Sequence, residues 1–331
     1  MPGNNSSQPE IVIPEDLTGP GTERLAQYFN VYQDSSLWQR PDELADLISG
    51  ARALIVRNRT PVTAELLQAG RELLVVGRGG AGLDNIDVAA ATKLGIVVCY
   101  APVQNATSVA EHTLGLMLAL VRRIPVADSS VRAGQWLRHE HTGTQLAGKT
   151  LGIIGLGHIG RLVAAYGKAL GMELVGYDPY LSTDSPVIKQ LGCELTKFDA
   201  LLTRADVITI HVPLTDQTYH LLDRHALDQM KNTAVLVNTS RGPVVNEEEL
   251  CFALEAGQIA GAALDVRENE PPAPDSPLHR LDNTVLTPHI AAFTTEAQNA
   301  VVEAVAADVI AVLSGKPANY YANFPSPRRE T

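Results

Sequence analysis

The stretch Lys149–Gly160, Lys-Thr-Leu-Gly-Ile-Ile-Gly-Leu-Gly-His-Ile-Gly, constrains the fold more than any other part of the chain. An apolar run of strand length, Thr150–Ile154, leads into Gly155, Gly157 and Gly160 at G-x-G-x-x-G spacing, and helix-forming residues follow as far as Gly171. Strand, glycine turn and helix together are the context in which this spacing signals a dinucleotide site rather than a plain turn. Gly155 then makes the tight turn, Gly157 admits a pyrophosphate to the backbone, and Gly160 lets helix and strand pack closely. The helix N-terminus offers N–H groups and the positive end of its dipole to the phosphate. A second strand, starting at Glu173, ends in Asp178, where an acid meets the adenosine ribose 2′-hydroxyl. No basic residue follows before Lys189, so a 2′-phosphate would meet an anion and no cation. NAD is the expected cofactor.

The chain has 331 residues, which predicts two domains. Its net charge of −11 argues against nucleic acid and anionic membranes as partners but leaves room for a small acidic substrate. Cys99, Cys193 and Cys251 have no metal-site or redox spacing and read as reduced thiols of a cytoplasmic protein. The polar start lacks the apolar segment of a signal peptide, and the longest apolar run, Leu114–Val121, is too short to span a bilayer. The first nine residues and Pro327–Thr331 are expected to be disordered.

Up to about Tyr100, short apolar runs alternate with helical stretches. Strands are predicted at Ile11–Ile13, Val31–Tyr32, Ala53–Val56, Leu73–Val76 and Ile96–Cys99, with helices at 21–29, 42–51, 63–69 and 87–94 between them. Such alternation implies a parallel sheet with helices on both faces. Beyond Ala101-Pro102 a long helix is expected, with Ser108-Val-Ala-Glu111 as its capping box and an apolar body to Val121. A loop region, 124–148, separates it from the fingerprint. Further strands are predicted at Val207–Ile210, Ala234–Val237, Ala260–Leu264 and Thr284–Leu286, and a helix capped by Asn246 and closed by Gly257. A last helix, Thr294–Leu313, is expected to return to the first domain, giving two crossings that would serve as a hinge.

Ligands of an open parallel sheet bind beyond the carboxyl ends of its strands. That edge gathers His211 and Pro213, then Asn238-Thr-Ser-Arg241-Gly242, then Asp265 with Glu268 and Glu270, then Thr287-Pro-His289. An arginine can grip a carboxylate with two parallel hydrogen bonds. A histidine beside a carboxylate favours its charged form and exchanges protons near neutral pH. These are the parts needed to reduce a 2-keto acid. Glu268 rivals Glu270 for the carboxylate role, and the position before Pro271 favours Glu270. His112, His139, His141, His220, His225 and His279 read as structural, and no metal site is expected.

Taken in order, Gly155–Gly160, Asn238-Thr-Ser-Arg-Gly, Ala262-Ala-Leu-Asp-Val with Glu270-Pro-Pro, and Thr287-Pro-His-Ile resemble the D-isomer-specific 2-hydroxyacid dehydrogenase family. The similarity runs from about Ile11 to the last helix. It implies an α/β fold of two doubly wound parallel-sheet domains. A flavodoxin-like substrate domain (1–101 and 290–331) would have a Rossmann NAD-binding domain (102–289) inserted in it. Arg241 would bind the substrate carboxylate and carbonyl, His289 would be the acid/base, and Glu270 would orient His289. The cofactor set would comprise Gly155, Gly157, His158, Ile159, Gly160, Asp178, His211, Pro213, Thr218, Thr239, Asp265 and Thr107.

The substrate residues are sought at strand ends of the first domain: Arg57, Asn58, Arg59, Arg78, Gly79 and Gly80, the glycine run letting backbone N–H groups approach a carboxylate. This region is most similar to phosphoglycerate dehydrogenases. There, arginines matching Arg57 and Arg78 hold the substrate phosphate, and one matching Arg138 is supplied by the partner subunit. Asn58 and Arg59 depart from that pattern. The expected substrate is a three-carbon 2-hydroxy acid with a second negative group, such as 3-phosphoglycerate; sulfolactate or another 2-hydroxy acid is the alternative. No regulatory domain and no feedback by serine are expected. The family also includes NAD-sensing corepressors with the same triad, and formate dehydrogenases, from which the acid at Glu270 separates this chain. The apolar character of the helix from Ser108 predicts a homodimer.

Overall fold

The computed structural model describes residues 8–329. Contacts divide the chain into a first unit, Met1–Asn105 with Phe293–Thr331, and a second, continuous unit, Ala106–Ala292. Among the described residues no helix is long and apolar enough to cross a membrane.

The first unit alternates β1 (Ile11–Ile13), α1 (Pro20–Tyr28), β2 (Val31–Gln33), α2 (Pro41–Ile48), β3 (Ala53–Val56), α3 (Ala64–Ala69), β4 (Val75–Arg78), α4 (Val88–Lys93) and β5 (Val97–Tyr100). Its five strands pair in parallel in the order β2-β1-β3-β4-β5, one of the two common doubly wound orders. Residues of β3 are buried on both faces, as a strand covered by helices on each side must be. β4 begins two residues later than the predicted Leu73–Val76, so Arg78 is the last residue of the strand.

The second unit contains α5 (Ala106–Val121), α6 (Ile124–Arg132), β6 (Thr150–Ile154), α7 (His158–Ala169), β7 (Glu173–Tyr177), α8 (Pro186–Leu191), β8 (Glu194–Leu195), α9 (Phe198–Arg204), β9 (Val207–Ile210), α10 (Arg224–Gln229), β10 (Val235–Asn238), α11 (Glu247–Glu255), β11 (Gly261–Leu264) and β12 (Thr284–Leu286). Its seven-stranded parallel sheet runs β12-β11-β10-β9-β6-β7-β8, so strand order reverses between β6 and β9. One face packs Ile153, Val237 and Ala263 against Met117 of α5 and Val163 of α7. The other packs Ile154, Ile208 and Leu236 against Leu201 of α9 and Leu250 and Leu254 of α11. The chain then returns to the first unit with α12 (Thr295–Leu313), capped by Thr294.

Three expectations are corrected. Helix α5 starts at Ala106, so Ser108 lies inside it and is no N-cap. The expected loop 124–148 opens with α6: Arg123 adopts a left-handed φ of 55° that ends the preceding helical run, and Pro125 suits the first turn of a new helix. Disorder was expected for Pro327–Thr331, yet Arg328 N–H donates to Gly95 O at 2.9 Å and Arg329 Nη1 to Gly70 O at 2.7 Å. Residues 1–7 and 330–331 lie outside the described residues. Asn246 caps α11 as its position predicts, accepting from Glu249 N–H at 3.1 Å.

Candidate active site

Parallel pairing lines up the last residues of five strands of the second unit. Ile154, Ile210, Asn238, Leu264 and Leu286 are register partners in one row. The chain beyond that row supplies Gly155, His211, Thr239, Asp265 and Thr287, and this is the edge where an open α/β sheet binds its ligands.

At the strand-order reversal the fingerprint has the required shape. Gly155 adopts φ +89°, and a Cβ on it would lie 2.6 Å from His211 O. A Cβ on Gly160 would stand 2.0 Å from Gly155 O, so helix and turn approach as only glycine permits. Gly157 differs: a Cβ there would meet nothing within 4 Å, which leaves open space over the start of α7. His158 and Ile159 form its first turn. Asp178 Oδ2 accepts from Leu156 N–H and Oδ1 from Tyr180 N–H, both at 3.0 Å, holding the carboxylate beside the glycine turn. Open space, a helix N-terminus and a fixed acid fit a dinucleotide.

The remaining expected cofactor residues are less uniform. Thr107 is exposed in the first turn of α5. Thr218 Oγ1 donates to Pro213 O at 2.6 Å, closing the loop after β9. Thr239 is buried and bonds Thr113 Oγ1 at 2.8 Å; because Thr113 donates its own proton to Val109 O, Thr239 is the donor. His211 Nε2 lies 2.9 Å from Thr209 Oγ1, and Nδ1 is out of reach of solvent although the residue is partly exposed. Burial pushes its pKa down to about 3, so the ring is neutral at physiological pH.

Asp265 is 1% exposed, and its oxygens build the loop that bears His289. Oδ1 accepts from Thr287 Oγ1 at 2.6 Å and Ile290 N–H at 2.9 Å, and Oδ2 from Ala291 N–H at 2.8 Å. Burial pushes the carboxyl up, but hydrogen bonds from His112, Thr287, Ile290 and Ala291 outweigh it and hold the pKa below the usual range. Asp265 O also accepts from His289 N–H at 2.7 Å, and His289 takes a left-handed φ of 57°. A non-glycine residue held there needs surroundings that over-determine it. His112, expected to be merely structural, joins this set: its Nε2 is 3.2 Å from Thr287 Oγ1 and 3.4 Å from Asp265 Oδ1.

His289 Nδ1 lies 2.7 Å from Glu270 Oε2, and Glu270 Oε1 accepts from Arg267 N–H at 3.0 Å. Burial raises the Glu270 carboxyl, but these two bonds prevail and its pKa lies below the ordinary value. The rival acid Glu268 pairs elsewhere, with His220 Nε2 at 2.7 Å. Asn246 Oδ1 is engaged by the helix cap, so its Nδ2 faces His220 Nδ1 at 3.3 Å as donor. His220 thus bridges the Asn246 amide and the Glu268 carboxylate. Arg241 sits on a turn built by Asn238, whose Nδ2 donates to Arg241 O at 2.9 Å and whose Oδ1 accepts from Ser240 N–H at 3.0 Å. Arg241 Nη1 donates to Ser240 O at 2.7 Å.

In the first unit a buried acid that the sequence did not single out organises the arginine loop. Glu15 Oε1 accepts from Arg57 N–H at 2.9 Å, Thr60 N–H at 3.1 Å and Thr60 Oγ1 at 2.8 Å, and Oε2 from Arg59 N–H at 3.0 Å. Arg57 lies over the Phe293 ring and Arg59 over the Trp38 ring; Asn58 between them is exposed. The N–H groups of Gly79 and Gly80, expected to approach a carboxylate, donate to Val56 O at 2.7 Å and Arg78 O at 2.8 Å. Gly80 serves another need, since a Cβ there would lie 1.5 Å from Arg78 Nη1. Arg138, in the second unit, is exposed in the turn after α6. Among the described residues no group of three or more His, Cys, Asp or Glu is placed to hold a metal ion.

The model of the family described as "D-isomer specific 2-hydroxyacid dehydrogenase, NAD binding domain" matches residues 114–291. The chain is 47% identical to D-3-phosphoglycerate dehydrogenase of Archaeoglobus fulgidus over 86% of its own length and 54% of the relative's. It is 42% identical to that of Synechocystis sp. over 96% of its own length and 56% of the relative's, so it spans about half the length of these curated relatives. Among solved structures, D-lactate dehydrogenase from Aquifex aeolicus, complexed with NAD and lactic acid, superposes with a TM-score of 0.86 at 30% identity, covering 96% of this chain and 100% of that one. A match to the family's NAD-binding domain over more than half of the sequence, with relatives of this identity, makes the chain a member of the D-isomer-specific 2-hydroxyacid dehydrogenase family.

Proposed function

We propose that the chain is an NAD-dependent D-2-hydroxyacid dehydrogenase acting on a small 2-hydroxy acid with a second anionic group, of the 3-phosphoglycerate kind. The observation that carries this reading is the 2.7 Å contact between His289 Nδ1 and Glu270 Oε2. It commits Nδ1 to the carboxylate and leaves Nε2 as the ring position that exchanges a proton with substrate. Glu270 keeps the ring oriented and favours the imidazolium that forms when His289 takes the hydroxyl proton. Arg241 grips the substrate carboxylate with its planar fork. The fingerprint glycines, Asp178 and the N-terminus of α7 hold NAD, which when bound supplies the acceptor or donor of hydride at C2. In the keto-acid direction the protonated His289 Nε2 delivers its proton to the keto oxygen.

Recognition of the second anion falls to Arg57 and Arg78, with Arg59 and the exposed Arg138 as further cations. The names of the curated relatives support this substrate class. Steady-state assays with 3-phosphoglycerate, sulfolactate, glycerate and lactate, each with NAD and NADP, test the reading. The highest kcat/KM is expected with NAD and a doubly anionic acid. Equal kcat/KM for lactate refutes the second-anion idea, and preference for NADP refutes the cofactor choice. Tight NAD binding without turnover of any of these acids points instead to a sensor.

A homodimer is part of this proposal. Ile124, Val131 and Trp136 expose 53%, 52% and 77% of their surfaces on and just after α6, an apolar patch that a second copy would cover. Sedimentation analysis at micromolar concentration checks it. The three unpaired, buried cysteines support a reducing compartment, the cytoplasm.

A further inference from the structure

The peptide linking Arg267 to Glu268 is gripped from two sides. A Cβ on Gly242 would lie 1.8 Å from Arg267 O, so the turn that follows Arg241 rests directly on this peptide. On the other side is the first residue of α11: Glu247 N–H donates to Glu268 Oε2 at 3.0 Å, and Glu268 N–H donates to Glu247 Oε2 at 3.1 Å.

The Arg267 side chain completes the grip. It is 7% exposed, and its Nε and Nη2 reach Glu247 Oε2 and Oε1 at 2.9 and 2.6 Å, a two-point pairing of guanidinium and carboxylate. Nη2 also donates to Ser276 Oγ at 2.9 Å. A buried pair of this geometry stabilises little in total but strongly resists the loss of one partner, because the other charge would remain desolvated. Its effect is to fix where the backbone of Arg267 stands.

That backbone serves both halves of the site. Its N–H binds Glu270 Oε1, leaving Oε2 for His289, and its carbonyl is the surface on which Gly242, next to Arg241, is seated. We propose that Arg267, clamped by Glu247, is a positioning residue that holds the proton-transfer pair and the substrate-gripping arginine in a fixed mutual arrangement. This rests on the assignment of Arg241, Glu270 and His289 given above. It adds Arg267, Glu247 and Gly242 as the parts that align them.

Arg267→Lys keeps the charge but cannot pair at two points. Glu247→Gln keeps the shape and one acceptor oxygen. Both are assayed as full chains with saturating NAD and varied 3-phosphoglycerate. The expected result is cofactor affinity near the wild-type value and a kcat lowered about 10- to 100-fold, as for a small misplacement of reacting groups. The acidic limb of the kcat/KM profile is expected at higher pH, because Glu270 loses its fixed donor. A purely structural role would lower the melting temperature and leave that limb in place. Should Arg267→Lys fail to fold, Glu247→Gln answers alone. A folded Glu247→Gln variant with kcat within about twofold of wild type and an unmoved limb overturns the proposal. His289→Gln, run in parallel, separates the two levels: wild-type turnover in that variant defeats the catalytic assignment itself.

Discussion

Glu270 Oε2 stands 2.7 Å from His289 Nδ1, while the other oxygen of the same carboxylate is occupied by Arg267 N–H. Each atom of the pair therefore has one partner and one task. His289→Gln is expected to lower kcat by about 10²- to 10⁴-fold, the usual worth of a general acid/base, with NAD binding retained. Stopped-flow turnover and cofactor titration measure the two separately.

The pair also predicts a pH dependence of stability. The Glu270 pKa is depressed from its ordinary 4.5, so the native state binds fewer protons than the unfolded chain. The stabilisation is fully present above the unfolded value and disappears as pH falls through the lower folded one. Thermal melting of wild type and Glu270→Gln between neutral pH and pH ~3 should show a gap that closes on the acid side. A gap that widens with acid would contradict the pairing.

Glycines of the fingerprint should separate folding from binding. Gly160→Ala forces a Cβ to 2.0 Å from Gly155 O and should cost several kcal/mol of stability, about 3 or more, by overpacking against backbone. Gly157→Ala meets nothing within 4 Å, so its melting temperature without cofactor should match wild type. Its NAD affinity should nevertheless fall about tenfold or more, since the methyl group enters space meant for pyrophosphate. Differential scanning fluorimetry with and without NAD reads both effects at once.

Glu15→Ala removes one acceptor from four donors, three of them backbone N–H groups of the Arg57–Thr60 loop. Leaving buried donors unpaired costs about 1–3 kcal/mol each, not additively, so a loss of roughly 3 kcal/mol in urea unfolding is expected. If the loop grips the second anion, KM for 3-phosphoglycerate rises about tenfold while kcat/KM for lactate changes little. A parallel loss for both acids would detach Arg57 from substrate recognition.

Asp265→Asn tests the other buried acid. An amide cannot accept on both sides, so either Ala291 N–H or the Thr287–Ile290 pair loses its partner. Stability should fall by about 2 kcal/mol, and kcat should fall with it because the His289 loop is freed to relax from its left-handed backbone. Urea titration combined with initial rates would show whether the two losses coincide.

Local features were legible in the sequence and distant pairings were not. The fingerprint, the Asn246 cap and the ends of β6, β9, β11 and β12 announce themselves within a few residues, because turn chemistry and strand patterning are short-range. Glu268 and Glu270 look alike in the sequence; only the fold turns one to His220 and the other to His289. His112 could not be singled out because its partners, Thr287 and Asp265, come from strands at the far end of the unit. Glu15 was silent for the same reason, its donors lying more than forty residues away. Helix α6 was hidden by Pro125, which reads as a loop residue until the left-handed Arg123 before it is seen.

The first unit is written in two pieces of chain, and this bears on how the protein is made. Val301, Val305, Val309 and Val312 of α12 complete the core formed by Ile11, Ile13, Ile55 and Val97, and a Cβ on Gly77 would lie 2.7 Å from Val305 Cγ1. On the ribosome, strands β1 to β5 emerge long before that helix exists, with one face of their sheet covered only by α1, through Leu25. The whole of Ala106–Ala292 is synthesised in the interval and can fold as a continuous unit. Exposed apolar sheet in a waiting intermediate invites aggregation. Truncating the chain before Thr295 should therefore yield nascent protein that depends on chaperones, while the second unit within it is already able to bind nucleotide.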